Sequence, residues 1–562
     1  MFTAREYVNG ARLTREHPLR RLRTLLPHAA LLPALGAVAF AVVELYAAHR
    51  TFFNPAIAIN AKDEGYIAAF AFRMLDGHWL PYVDAVSHRG PLLYWLAAVA
   101  VALGGRESFA PIRTLALLCS LLVVVLAFAS AARSRRTLAG AVAAVGIAVC
   151  LLLEMPVDDG LAYNGEPLLD LFSLGGLFCL ATGLDPERPR AHVRWVAAAG
   201  VLAALGALSK QVGVVSLVAL AAWPLAASLA RPADATGLRR FRPLAWYVAG
   251  GLAPALLVLA RYAVAGEVHT LFFYTVTYNA RFYMAPITPI EAMHRIRDFM
   301  ADHAAYVVAG AALVGWGLTR GLWGARGVAF WQRVDRRGFL VVVSLTAALS
   351  TVAADSTARH FPHYFVQAIP WFSLLLGLAI EESLARDDRD PLGTGLAHLG
   401  VLTPAVLALW MMFVPKLEAL REQQARRTGT LPICAYVREH SGGDQPIYVW
   451  GFAADFYTYC HRKPASRFVY STFQSGFVPF FDASRDVERS RVVPGSPELF
   501  LDDLEKSHAR LLIDVPATLG GRSVERTPLY ADYLRRNYCP PVPFDGTRVF
   551  TRREPGEMCP DR

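Results

Sequence analysis

Charge is scarce in this chain, and lysine nearly absent. Of 562 residues, 18% are charged and 54% hydrophobic, and Lys62, Lys210, Lys416, Lys463 and Lys506 are the only lysines. Such a composition excludes an ordinary soluble domain, and the repeated long apolar runs indicate an integral membrane protein. No internal repeat or low-complexity tract is evident. Cysteine is sparse, seven in all, and none has metal-ligand spacing. A small-residue cleavage site is also lacking after the first apolar run, which begins near His28 behind Arg5, Arg12, Arg15, Arg20, Arg21 and Arg23. That run reads as an uncleaved anchor with a cytoplasmic N-terminus. The net charge of +10 comes from arginines lying between apolar runs. Topology explains them better than polyanion binding does.

Spanning helices are expected at about 28–48, 109–131, 137–154, 167–184, 195–209, 212–230, 244–265, 304–320, 338–354, 363–382 and 398–414, from the length needed to cross the hydrocarbon. Segment 91–105 is apolar but short and ends in Gly104-Gly105. If it does not span, nearly every arginine cluster (133–136, 188–194, 231–242, 320–337 and 386–389) falls on the cytoplasmic side. It is therefore read as re-entrant or interfacial. The loops 49–108, 155–166, 266–303 and 355–363, together with Lys210-Gln211 and the tail from about 415, then share the outer face. The expected fold is a polytopic α-helical membrane domain over 1–414, with about 11 spans plus interfacial helices. A small exported α/β domain follows over 415–562. In that tail, strands are expected at 445–451 and 509–515 and a helix at 497–508. Its four cysteines, Cys434, Cys460, Cys539 and Cys559, suit two disulfides if it is exported.

The chemistry-bearing residues sit at the membrane boundary. Asp63-Glu64 opens a polar segment continuing through Tyr66, Tyr82 and Asp84 to Arg89-Gly90-Pro91-Leu92-Leu93-Tyr94-Trp95. An ionised pair near lipid is costly and is by default a functional candidate. Partial desolvation is expected to raise the Asp63 carboxyl and suit it to act as a base. The plainer reading is a helix start at 63–64. Glu166, before Pro167, is a second candidate, and it too suits a helix start. Arg89, Arg113, Lys210, Arg359 and His363 supply cations near span ends, either for a phosphate or simply for headgroups. The aromatic segment 271–283 fits an interfacial belt better than a substrate wall.

The motif Asp63-Glu64-Gly65-Tyr66, Gly77, Pro81-Tyr82-Val83-Asp84 and Arg89 to Trp95 resembles the first outer loop of polyprenyl-phosphate-sugar-dependent glycosyltransferases. These form the GT-C superfamily, here the group of bacterial protein O-mannosyltransferases and lipid A aminoarabinose transferases. Ser209-Lys210-Gln211 and Arg359-His360-Phe361-Pro362-His363-Tyr364 look like later motifs of that group. A Lys-Pro pair common in the group is replaced here by Arg89-Gly90.

The resemblance implies an inverting transfer from a polyprenyl-phosphate sugar to an acceptor hydroxyl, at the outer face of a bacterial cytoplasmic membrane. It implies catalytic roles for Asp63, Glu64 and Glu166. The donor phosphate would meet Arg89, Lys210, Arg359, His363 and Tyr364, and the sugar or acceptor Tyr66, Tyr82 and Asp84. The partners would be that lipid-linked donor, the bilayer and an acceptor of unspecified kind, with no nucleic acid. There is no clear Asp-x-Asp, so no metal cofactor is expected to be obligatory, although some relatives use a divalent ion. The rival reading is a transporter or flippase of lipid-linked sugars, for which mid-membrane charges and inverted repeats would be expected.

Overall fold

The computed structural model describes residues 62–134, 139–154, 162–184, 192–229, 240–283, 289–323, 334–355, 360–384, 432–478, 484–544 and 546–554, with single residues at 39, 42, 43, 45, 46, 160, 556 and 559. The first and last expected spans and the 414/415 boundary lie outside these residues, except for isolated helical positions between 39 and 46.

Apolar sequence with few charges folds here into a bundle. Helix α1 (Lys62–Asp76) and α2 (Pro91–Gly104) precede α3 (Ala110–Ser134), α4 (Ala139–Glu154), α5 (Glu166–Gly183), α6 (His192–Ser209), α7 (Gly213–Leu229) and α8 (Arg242–Val264). Then come α9 (Pro289–Asp302), α10 (Ala304–Trp323), α11 (Val334–Asp355) and α12 (Ile369–Leu384). Among the described residues, Ala110–Arg133, Arg242–Val264, Ala304–Leu322 and Arg337–Asp355 are long and apolar enough to cross a membrane alone. The 14 residues of α2 extend about 21 Å at 1.5 Å each, too short to cross about 30 Å of hydrocarbon. Instead α2 packs on α1, where Phe70 and Tyr94 stack with centroids 3.7 Å apart.

The bundle core is Leu, Ala and Val from α3 to α8, α11 and α12, with Trp223 and Trp371 buried among them. Small residues let these helices approach closely. A Cβ on Gly200 of α6 would lie 2.0 Å from the Tyr247 carbonyl oxygen of α8, and one on Gly250 would lie 2.0 Å from the Ala197 oxygen. The α6–α8 crossing therefore requires both glycines.

The aromatic segment departs from expectation. It is not a loop: Val268–Phe272 is helical and passes into π-helical turns at Phe273–Thr277 and Asn279–Tyr283. Tyr274 and Tyr278 are buried, while Phe272 and Val276 are exposed. One face is packed and the other is left at the surface, so only the second suits a belt.

The tail is an α/β unit. Helix α13 (Pro432–His440) leads to β1 (Ile447–Trp450), and α14 (Ser496–Ser507) leads to β2 (Leu511–Asp514). After α15 (Pro528–Asn537) come β3 (Val542–Phe544) and β4 (Thr547–Thr551). The sheet order is β1-β2-β4-β3, with β1 and β2 parallel and the other pairs antiparallel. Disulfides join Cys434 to Cys460 and Cys539 to Cys559. The tail's core is continuous with α1, α2 and the aromatic segment. Its short helix Asp455–Tyr459 presses on α1, where a Cβ on Gly65 would lie 2.5 Å from the Asp455 backbone nitrogen.

Candidate functional site

Successive bundle helices reverse direction, so the starts of α3, α5, α7 and α12 meet the ends of α6, α8 and α11 at one end of the bundle. Segment 77–90 lies across that end and is bonded to several of them. Tyr262 of α8 donates to the Pro81 carbonyl at 2.9 Å. The His88 carbonyl accepts from Gln211 at 2.6 Å and from Asn279 at 2.8 Å. Gly90 abuts the end of α6, where a Cβ would lie 2.1 Å from the Leu208 oxygen. Arg89, beside it, is thereby fixed near Lys210. Tyr82 donates to the Arg89 carbonyl at 2.6 Å, which fixes the backbone further.

The two carboxylates of the acidic pair face opposite ways. They occupy the first turn of α1, a favourable place for negative charge. Consecutive helical residues point about 100° apart. Asp63 faces the open side, with a side chain 27% exposed, and Arg89 Nη2 lies 2.8 Å from its Oδ1. Glu64 faces the core at 0% exposure and accepts from Arg113 Nε of α3 at 2.9 Å. A direct catalytic role for Glu64 does not fit this geometry, because its carboxylate is sealed against Arg113. Arg113 is likewise committed to a buried pair rather than to the open side.

Glu166, in the first turn of α5 behind Pro167 and a left-handed Gly165, is buried and pairs with Lys210 Nζ. Lys210 lies in the turn between α6 and α7, and its Nζ stands 4.5 Å over the Tyr364 ring. His363 and Tyr364 belong to the short helix Pro362–Val366. Arg359 lies outside the described residues.

Asp63 therefore sits among Arg89, His363 and Lys210. Burial alone would raise its carboxyl, but Arg89 first, then His363 and Lys210, outweigh burial and hold it below the ordinary carboxylate value. The expected upward shift is thus reversed, because the boundary is lined with positive charge rather than lipid. Glu64 goes the other way: burial holds it above the ordinary value in spite of Arg113. Arg89 Nη1 is buried with no hydrogen-bond partner among the described residues, as is Glu166 Oε2.

The three residues expected around a sugar or acceptor each bond to backbone groups of segment 77–90. Asp84 folds back on its own segment, accepting from the backbone of Leu80 at 2.7 Å and His78 at 3.0 Å. Tyr82 is buried and spends its hydroxyl on Arg89. Tyr66 donates to the Val86 carbonyl at 2.8 Å.

The sequence reading missed Tyr470. It comes from the tail, stacks on Tyr66 with centroids 4.0 Å apart, and interacts electrostatically with Asp63 and Arg89. Four hundred residues separate it from the acidic pair, and only the aromatic run Phe468-Val469-Tyr470 could have flagged it. Among the described residues, no group of three or more His, Cys, Asp or Glu side chains gathers at metal-binding distance.

Residues 88–259, which carry Arg89, Glu166 and Lys210, match the family model described as dolichyl-phosphate-mannose-protein mannosyltransferase. The crystal structure of ArnT from Cupriavidus metallidurans bound to undecaprenyl phosphate superposes with a TM-score of 0.54 at 16% identity, covering 94% of this chain and 99% of that one. The apo form of the same protein gives 0.53 at 17% identity, covering 93% and 98%. The oligosaccharyltransferase of Archaeoglobus fulgidus, tethered to an acceptor peptide, gives 0.46 at 12% identity, covering 93% and 74%. No curated protein sequence matches the chain.

The chain shares the fold of ArnT, a polytopic helical bundle with a small C-terminal sheet domain. The family resemblance extends over residues 88–259, while the fold is shared over nearly the whole chain.

Proposed function

We propose that the chain transfers a sugar from a polyprenyl phosphate to an acceptor hydroxyl, with inversion, at the outer face of a bacterial cytoplasmic membrane. The observation that carries this reading is Asp63, ionised and partly exposed, held 2.8 Å from Arg89 with His363 and Lys210 close by. The acceptor oxygen attacks the anomeric carbon while Asp63 takes its proton. The bond from that carbon to the phosphate oxygen breaks, and its electron pair leaves on the phosphate, which gains one negative charge. Arg89, whose Nη1 has no partner among the described residues, and Lys210 stand ready to hold that charge, with His363 and Tyr364 beside them. As the phosphate draws Arg89 toward itself, Asp63 loses part of its counter-charge and becomes a stronger base. Because these cations balance the phosphate, the transfer needs no obligatory metal.

The orientation is supported by Arg133, Arg194, Arg320 and Arg337 at the other end of the bundle, where the positive-inside rule puts the cytoplasm. Reconstitution in vesicles with a labelled polyprenyl-phosphate sugar tests the reading, with and without chelator. Labelled product of inverted anomeric configuration is expected. Movement of the intact lipid between leaflets without transfer to any acceptor would select the flippase instead.

A further inference from the structure

Helix α5 carries another acid, Asp170, one turn deeper than Glu166 and 2% exposed. A spacing of four puts both carboxylates on one helical face, and Ser173 extends the stripe. Each residue keeps a buried atom with no hydrogen-bond partner among the described residues: Glu166 Oε2, Asp170 Oδ1 and Ser173 Oγ. The charged groups acting on Asp170 are Glu166 and Lys210. Lys210 Nζ is already engaged by Glu166 Oε1 and seated over Tyr364. Two ionised carboxylates facing one ammonium would leave a net negative charge buried among apolar helices, which is strongly unfavourable. A single proton cancels that charge and also gives both orphaned oxygens a partner.

We propose that Asp170 carries this proton and donates it in a hydrogen bond to Glu166 Oε2. Glu166 is then locked in orientation, and it in turn sets Lys210 Nζ at the edge of the site. Asp170 is a positioning residue that acts through Glu166 without touching substrate. This role rests on the reading of Lys210 as a donor-phosphate cation. Asparagine can supply the same donor, its side-chain N–H, whereas leucine supplies neither donor nor acceptor.

The test uses the full chain in lipid nanodiscs, comparing wild type, Asp170→Asn and Asp170→Leu. Transfer from labelled polyprenyl-phosphate sugar is measured at varied donor concentration, together with thermal stability. Asp170→Asn should stay within about threefold of wild type, while Asp170→Leu should lose about tenfold in kcat/KM, chiefly through donor KM. Infrared spectra at mildly alkaline pH should show a protonated-carboxyl band that Asp170→Asn removes.

Loss of transfer in Asp170→Asn equal to that in Asp170→Leu would mean an anion is required, and would overturn the proposal. So would full activity in Asp170→Leu, or an unchanged infrared band in Asp170→Asn. If Asp170→Leu does not fold, Asp170→Asn and the infrared band decide alone. If the wild type transfers no sugar, the glycosyltransferase reading falls, while the infrared band still reports on the proton.

Discussion

Replacing Asp63 with Asn should move two kinetic parameters in opposite directions. The side chain keeps its shape but loses its charge and its ability to take a proton. Loss of a positioned general base lowers the chemical step by about 10² to 10⁴. Donor binding should respond the other way. In the proposed mechanism Asp63 and the donor phosphate compete for Arg89, which lies 2.8 Å from the carboxylate. Two unit charges at contact distance interact by about 4 kcal/mol at an effective dielectric of 20. With 27% of the Asp63 side chain and 16% of the Arg89 side chain exposed, solvent screening reduces that substantially, to about 1–2 kcal/mol. Removing the competitor should therefore tighten donor binding about tenfold. Single-turnover transfer measures the first effect, and equilibrium binding of unreacted donor to the same preparation measures the second. Wild-type turnover in Asp63→Asn would remove Asp63 from the mechanism. Parallel loss of turnover and donor affinity would mean that Asp63 organises the pocket rather than performing the chemistry.

Acidification tests the same group: the depressed Asp63 stays ionised well below neutrality, so its ion pair with Arg89 is intact above the unfolded value of about 3.9 and is lost as pH falls through the lower folded value. The acid limb of kcat/KM, which reports the free enzyme, should accordingly fall below about pH 4, and a limb near neutrality in that profile would contradict the cationic surroundings. Glu64→Gln strips the buried Arg113 of its carboxylate and should cost about 3–5 kcal/mol in denaturant unfolding, while transfer per folded molecule stays near wild type. Loss of transfer at unchanged stability would restore Glu64 to the chemistry. Gly65→Ala places a methyl 2.5 Å from the Asp455 nitrogen, so the tail must shift; about 1–3 kcal/mol of destabilisation and faster proteolysis of the tail are expected, and an unchanged digestion pattern would show that the contact is slack.

The membrane helices were legible because their signal is local: an apolar run of sufficient length has few other solutions. α14 and strands β1 and β2 were legible for the same reason, through a Ser-Pro-Glu start and short apolar runs ended by turn residues. The site was legible only in its members. Asp63, Arg89, Glu166 and Lys210 stand out as charges beside apolar sequence. What each one faces depends on helical phase and on partners far along the chain. Glu64 is adjacent to Asp63 in sequence yet points about 100° away, toward Arg113. Asp84 looked like a pocket residue, but its partners are the backbone amides of its own turn. The aromatic segment read as a belt because a buried and an exposed face have the same composition when both are aromatic and apolar. Tyr470 carried no local mark beyond the short aromatic run Phe468-Val469-Tyr470.

In the proposed mechanism the two residues of the acidic pair divide the labour. A base must be reachable by solvent and substrate, but a reachable side chain on a short helix is poorly constrained. Glu64 and Arg113 pin the first turn of α1 to α3 from the buried side. Gly65 admits the tail from another direction, and Tyr66 stacks on Tyr470 one residue later. Asp63 is thus the one member of its turn left facing Arg89, with its backbone held by neighbours on three elements. In the proposed mechanism, holding the backbone rather than the carboxylate leaves the side chain free to exchange Arg89 for an acceptor proton when donor arrives. The same logic covers Lys210, whose ammonium is steadied by Glu166 from within the bundle. In both places a buried carboxylate does the holding, and in the proposed mechanism the more exposed group one step away meets the substrate.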